Sequence, residues 1–268
     1  VYSLKKAFCF LVVAALFVCS AGCSGIHDGA VNVMGSTSIQ PFAEALSEVY
    51  LSDNPEDNVE VQGGGSTAGL QAVRNGLADI CMCSRSLSES EAEFFTSQVI
   101  AQDGFAIVVN PNNPVENLSM KELQLIFAGA IDNWKQVGGE DYPIRPITRE
   151  EGSGTRESFV QLVMGTEKIS RKALTQESNG AVRELVKGDK AAIGYMSLNM
   201  TGPELKKVKV DQVAPTPEAV QSGQYRLVRP FYFVTLGPLR PEAEPFFEFV
   251  LSDEGQTILE SEGLVRNP

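Results

Sequence analysis

The sequence predicts an α/β chain built on largely parallel sheets. Two observations carry that reading: short apolar runs alternate with segments of helical periodicity along nearly all of its 268 residues, and glycine-rich turns stand where strand gives way to helix. No fixed-period repeat or low-complexity tract interrupts the alternation. A chain of this length has room for two lobes, each with a core of its own.

The elements follow in order. "AVNVMG" reads as a strand ending in "GSTS" at 35–38, and the helix after it puts Ile39, Phe42, Leu46, Val49 and Tyr50 on one face. The pattern repeats with "NVEVQ" as strand, "GGGST" at 63–67 as turn, "AGLQAVRNG" as helix and "ADICMCS" as strand. Ser88 and Glu91 form a capping box, predicting a helix through Phe94 and Phe95; Ser119 and Glu122 cap another over "MKELQLIFAG". "YPIRPIT" is a strand to Thr148, followed by a turn at 149–153 and a helix through Phe159, Leu162 and Val163. "NGAVRELVKG" is a helix, "AAIGYMS" a strand, "YRLVRPFYFVTLG" a return to strand, and two helices close the chain. The extended runs at 105–110 and 226–236 are the candidates for strands crossing between lobes.

At the start, Lys5 and Lys6, an apolar run from Ala7 to Val18 and then small residues match a secretory signal over 1–22, too short to span a bilayer. Ser20-Ala21-Gly22-Cys23 resembles a bacterial lipobox, which implies a lipid on Cys23 and a linker over 23–29. The net charge of −12 argues against a nucleic-acid partner. It also means that any anion site has to be local, made of aimed dipoles and not of an overall field. Cys81 and Cys83 lie two apart on one strand face and read as buried small hydrophobes, since a lone C-x-C lacks a second ligand pair for zinc.

The three turns at 35–38, 63–67 and 152–155 share glycine with Ser and Thr. Glycine lets backbone approach a ligand, hydroxyls donate, and the first amides of a helix point out unpaired, which together make an anion cradle. In an open α/β sheet such turns gather at the carboxyl ends of strands. Arg149, four residues before Ser153, adds a planar fork of donors suited to a tetrahedral oxyanion. Glu150 and Glu151 stand beside it, with Glu151 expected to orient the guanidinium; Arg156 is expected to point outward to Glu157 or solvent.

An enzyme is not expected. The only histidine, His27, lies in the linker, no His or Cys cluster suggests a metal or other cofactor, and "GSGT" lacks the lysine of a P-loop. Nothing activates a nucleophile, so the anion is expected to be carried and not changed.

"GSTSIQPF", "GGGSTAG", "ADICMCSRSL", "DGFAIVVNP", "IFAGAIDNW", "REEGSGTRESF" and "AIGYMSL", in this order, resemble the phosphate-binding proteins of bacterial high-affinity phosphate ABC transporters. The resemblance spans nearly all of the chain after the signal. It implies a type II-like, two-lobed periplasmic binding protein whose lobes are joined by two crossover strands, with lobe I over 30–108 plus 232–268 and lobe II over 109–231. By position it implies phosphate contacts from Thr37, Ser38, Ser66, Ser84, Arg149, Ser153, Gly154 and Thr155, with Glu151 and Arg85 in support. Ser84 stands where many relatives carry an aspartate that accepts the proton of hydrogen phosphate and repels sulfate; a serine can accept a proton but repels nothing by charge. Arg85 is expected to pair with an acidic residue such as Asp103. The implied partners are inorganic phosphate and a membrane permease, met by a lipid-anchored monomer outside the cytoplasm. The alternatives are a binding protein for molybdate, tungstate or sulfate, and a phosphate-sensing lipoprotein.

Overall fold

The computed structural model describes residues 29–266. The signal segment, Cys23 and His27 lie outside the described residues. Strands β1 (Val31–Gly35), β2 (Val59–Gly63) and β3 (Ile80–Cys83) pair in parallel, with β1 in the middle. Helices α1 (Gln40–Asp53) and α2 (Ser66–Arg74) make the crossovers. Alternation along β1 decides its placement: Val31 and Val33 are buried while Asn32 and Met34 are only partly so.

The capping box of Ser88 and Glu91 is present, but its helix α3 stops at Ala92 after starting at Glu89. Phe95 then turns into a small core with Leu70, Val73, Cys81, Cys83 and Val234, so tertiary packing and not the cap sets the helix end. Both cysteines are free and fully buried, as the strand alternation implied.

Strand β4 (Thr96–Val109) is longer than the apolar run at 105–110 suggested. Its first part carries exposed Thr96, Ser97 and Gln98, so it lacks the apolar signal of a buried strand. Helix α4 (Met120–Ala128) keeps its Ser119 cap. It follows β5 (Asn117–Leu118), and beyond it come β6 (Arg145–Arg149), α5 (Gly154–Phe159), β7 (Leu174–Gln176), α6 (Asn179–Gly188), β8 (Ala192–Ser197), β9 (Lys206–Val210), α7 (Pro217–Gln221) and β10 (Val228–Thr235). Helices α8 (Glu244–Leu251) and α9 (Asp253–Ser261) close the described chain.

The strand order is β2-β1-β3-β10-β4-β8-β6-β7, with β9 beside β4 and β5. The sheet is parallel at its two flanks but antiparallel in the middle, where β10 runs against both β3 and β4 and β4 runs against β8. Up to Gly104, β4 pairs with β10; from Phe105 onward it pairs with β8 and β9. A Cβ on Gly104 would lie 2.6 Å from Val220 Cγ2, so only glycine fits the point where the strand changes neighbours.

Two main cores result. One is built by residues such as Val33, Phe42, Leu46, Phe231 and Phe246, the other by Phe105, Phe127, Trp134, Phe159 and Tyr195. In the second, Phe159 stacks on Tyr195 with ring centroids 4.0 Å apart. Each such side chain contributes roughly 2 kcal/mol by burial. The stack also fixes the site, because the Tyr195 hydroxyl bonds Thr148 Oγ1 at 2.7 Å and accepts from the Arg149 amide at 3.3 Å. The core thereby holds the strand end that carries Arg149.

Candidate anion site

The strands run in the order β2, β1, β3, β10, β4, β8, β6 from one core to the other, and the cleft lies between the cores. All three glycine-rich turns open into it, because each follows a strand that ends there. The turn after β1 and the loop after β3 meet through hydroxyls: Ser36 Oγ donates to Ser84 Oγ at 2.8 Å, and Ser84 N donates to Ser66 Oγ at 3.1 Å. Ser38, Ser66 and Ser84 are all fully buried.

From the other core, the β6 turn arrives face to face. Ser153 caps α5, its side-chain oxygen accepting from the Arg156 amide. The amides of Gly154 and Thr155 begin the helix and have no intrahelical carbonyl to reach. Thr155 Oγ1 shares a 2.9 Å hydrogen bond with Ser38 Oγ, Ser158 Oγ donates to Ser84 O at 3.1 Å, and Thr67 N donates to Gly152 O at 3.1 Å. A Cβ on Gly154 would sit 2.4 Å from Ser66 Oγ and 2.5 Å from Ser84 Oγ, so this approach requires glycine.

Arg149 is 1% exposed. Its Nε donates to Glu150 Oε2 and the Gln176 carbonyl; its Nη2 donates to Glu150 Oε1, the Glu177 carbonyl and Thr37 Oγ1. Nη1 is buried and has no acceptor. A buried, charged donor without an acceptor is costly, and an anion oxygen is the partner that would relieve it. Thr37 is the partly exposed member of the group and lines a groove of about 730 Å³ with Gln40, Gln62, Glu150 and Glu177, which leads to solvent.

Three expectations are corrected here. The brace on Arg149 is Glu150, not Glu151: Glu150 directly follows the strand end and folds back onto the guanidinium, while Glu151 stands exposed at the tip of the turn. Arg156 turns inward, donating to Thr148 Oγ1 and the Arg149 carbonyl, which steadies the same strand end. Arg85 pairs with Glu91 through Nη1 and Nη2 at 2.7 and 2.8 Å and with Glu157 through Nε at 2.7 Å. Asp103 is taken by Arg229 instead, within the β4–β10 pair.

The Arg85 bonds hold the Glu91 carboxyl down to about 2, against the opposing effect of its partial burial. Burial pushes Glu157 the other way, above the usual carboxylate range, with Arg85 opposing. Among the described residues, no His, Cys, Asp and Glu group could hold a metal ion.

Sequence reasoning missed Asn179. It is fully buried at the start of α6; its Oδ1 accepts from the Ser197 amide, which fixes Nδ2 as the donor toward Thr37 Oγ1 at 3.3 Å and Ser38 Oγ at 2.9 Å. Thr37 therefore receives two hydrogen bonds, from Arg149 and Asn179, and its own proton is left to donate. The signal was the Ser-Asn-Gly that opens α6 after a strand, a fainter copy of the same turn grammar.

The comparisons with known proteins agree with this geometry. A model of the PBP superfamily domain matches residues 24–254. Among solved structures, a Clostridium perfringens protein described as a phosphate ABC transporter substrate-binding protein with bound phosphate is 36% identical, covering 89% of this chain and 100% of its own, at a TM-score of 0.86. An ABC-type phosphate transport receptor from Vibrio cholerae is 37% identical over 88% of this chain and 100% of its own, at 0.74. The phosphate-binding protein PstS of Bacillus subtilis is 28% identical, covering 97% of this chain and 94% of its own. With its cleft, its three glycine-rich turns and its buried arginine, the chain belongs to the PBP superfamily and, within it, to the substrate-binding proteins of phosphate ABC transporters.

Proposed function

We propose that this chain binds inorganic phosphate between its two lobes, outside the cytoplasm, and delivers it to the permease of an ABC transporter. The observation that carries the reading is Arg149 Nη1, a buried donor with no acceptor at the meeting point of the three turns. Around it the ligand contacts are those expected by resemblance: Thr37, Ser38, Ser66 and Ser84 from lobe I, and Arg149, Ser153, Gly154 and Thr155 from lobe II. The relatives named for phosphate support the choice of anion.

The division of the cores supports lobes close to the expected 30–108 plus 232–268 and 109–231, with the change of lobe a few residues earlier on both strands, at Gly104 of β4 and near Val228 of β10. Bound anion joins donors from both sides, so it stabilises the closed cleft and shifts the population toward the form a permease recognises. A lipid on Cys23, attached through the linker, would keep a monomer beside that permease.

Sulfate, molybdate or tungstate is the second reading, favoured by one observation: Ser84 is neutral, and the carboxylates nearest the cradle, Glu150 and Asp103, are already bonded by arginine. Calorimetric titration of anion-stripped protein with phosphate, sulfate and molybdate separates the two. Tight phosphate binding with weak sulfate binding is expected; preference for sulfate or molybdate would overturn the choice of anion, and no binding would overturn the transport reading.

A further inference from the structure

Five buried side-chain nitrogens among the described residues lack a hydrogen-bond acceptor: Nε of Arg85, Arg183 and Arg266, and Nη1 of Arg149 and Arg229. The three Nε atoms still face carboxylates within ion-pair distance, at 2.7 Å for Arg85, 3.5 Å for Arg183 and 3.9 Å for Arg266. Arg149 and Arg229 instead meet their carboxylates, Glu150 and Asp103, through Nε and Nη2, and Nη1 is the atom left over. They share a further property, since both side chains are only 1% exposed.

We propose that Arg229 is a second anion-binding arginine, its Nη1 donating to the same phosphate that Arg149 Nη1 holds. The assignment rests on reading the cleft as a phosphate site. Strand register places Arg229 there: Tyr232 pairs with Cys83, so Arg229 lies past the end of β3, on the side where Ser84 stands. On its other side it pairs with Asp103, one residue before the glycine at which β4 changes sheet. The register thus sets Arg229 on the strand that lies between β4 and β3, the strand that leads to Ser84.

The rest of the guanidinium is fully committed. Nε and Nη2 donate to Asp103 Oδ2 at 3.1 and 2.9 Å, and the rings of Phe105 and Phe231 lie 5.8 and 5.1 Å from Cζ. These contacts hold the group rigidly and leave one nitrogen over. A chain of hydrogen bonds then joins the two arginines: Ser197 Oγ donates to Asp103 Oδ1, the Ser197 amide to Asn179 Oδ1, and Asn179 Nδ2 to Thr37 Oγ1, which also accepts from Arg149. Burial lowers the proton affinity of the Arg229 guanidinium, Asp103 opposes this, and the nearby charge of Arg149 lowers it further, so the two side chains share one buried region. Each arginine is matched by one carboxylate, Glu150 or Asp103, so the pair offers directed donors without surplus positive charge.

The test uses three proteins: wild type, Arg229→Lys, and the double variant Asp103→Asn with Arg229→Gln. Lysine keeps a positive charge opposite Asp103 but replaces the rigid planar fork with a single nitrogen on a flexible stem, which loses the fixed geometry toward Asp103 and the anion together; the double variant keeps a neutral hydrogen-bonded pair. Thermal unfolding without phosphate reports the fold, and calorimetry with inorganic phosphate reports the site. Variants that fold and bind phosphate at least about tenfold more weakly sustain the proposal. Folded variants that bind within about twofold of wild type overturn it and leave Arg229 a structural residue. Should neither variant fold, a crystal structure of wild type grown with inorganic phosphate decides: Nη1 within hydrogen-bond reach of a phosphate oxygen sustains the proposal, and Nη1 turned to protein or water ends it. Wild type that binds no phosphate removes the phosphate reading and this assignment together, a result distinct from binding that ignores Arg229.

Discussion

Arg149 and Arg85 stand on opposite walls of one cleft, both buried, both paired with glutamate, and they are satisfied in different ways. Arg85 gives Nη1 and Nη2 to Glu91 of its own lobe and holds Nε in an ion pair 2.7 Å from Glu157 of the other. Arg149 gives Nε and Nη2 to Glu150, two carbonyls and Thr37, and keeps Nη1 free. The first is a strut between lobes; the second is a clamp built to accept something from outside. Burial and charge are shared by the two, so neither property separates strut from clamp. What separates them is where the unbonded donor lies: Arg85 Nε is 2.7 Å from a Glu157 oxygen, while Arg149 Nη1 stands where the three turns meet.

The comparison breaks most readily at Arg149. Arg149→Ala removes a charged donor to a buried anion, and phosphate affinity should fall by at least ~2 kcal/mol, about 30-fold, in a calorimetric titration. Arg85→Ala removes the cross-lobe pair with partly exposed Glu157, worth roughly 0.5–1 kcal/mol to closure, so the loss of affinity should be about two- to fivefold and should come through easier opening; its pair with Glu91 lies within one lobe and bears on stability. A faster phosphate release with an unchanged association rate would be its kinetic form.

Acid sharpens the contrast further. The folded Glu91 carboxyl titrates near 2, below its unfolded value, so its pair with Arg85 contributes stability in full above about pH 4.5 and loses it as pH falls toward 2. Glu91→Gln should therefore be less stable than wild type at neutral pH, and the gap in melting temperature should close between about pH 4.5 and 2. A gap that is constant over that range would mean the pair contributes nothing through its charge. The smallest effect belongs to Glu151→Ala, expected within ~0.5 kcal/mol of wild type in both stability and phosphate binding, because that side chain is exposed and touches nothing in the site.

Much of this was legible in the sequence because the turn grammar is local. A strand, a glycine-rich turn and a helix declare themselves within about a dozen residues, and all three such turns converge as expected. What stayed hidden was settled by the partner across the cleft. Glu150 and Glu151 are equivalent as neighbours of Arg149 until the fold back from β6 chooses one. Asn179 is an unremarkable helix-start residue until Ser197 fixes which end of its amide donates. The first half of β4 escaped because its exposed Thr96, Ser97 and Gln98 and its buried Asp103 carry no apolar period, and Asp103 is tolerable there only because Arg229 lies opposite. Burial pushes the Asp103 carboxyl up and the Arg229 guanidinium down, and each partner's charge works against that.

The measurement that tests the account most directly is a phosphate titration of wild type, Arg149→Ala and Arg85→Ala by calorimetry under one set of conditions. The account predicts one phosphate per wild-type chain, binding weakened at least about 30-fold in Arg149→Ala, and binding weakened only about two- to fivefold in Arg85→Ala. Equal losses in the two variants, or an Arg149→Ala that binds as wild type does, would contradict the division into clamp and strut.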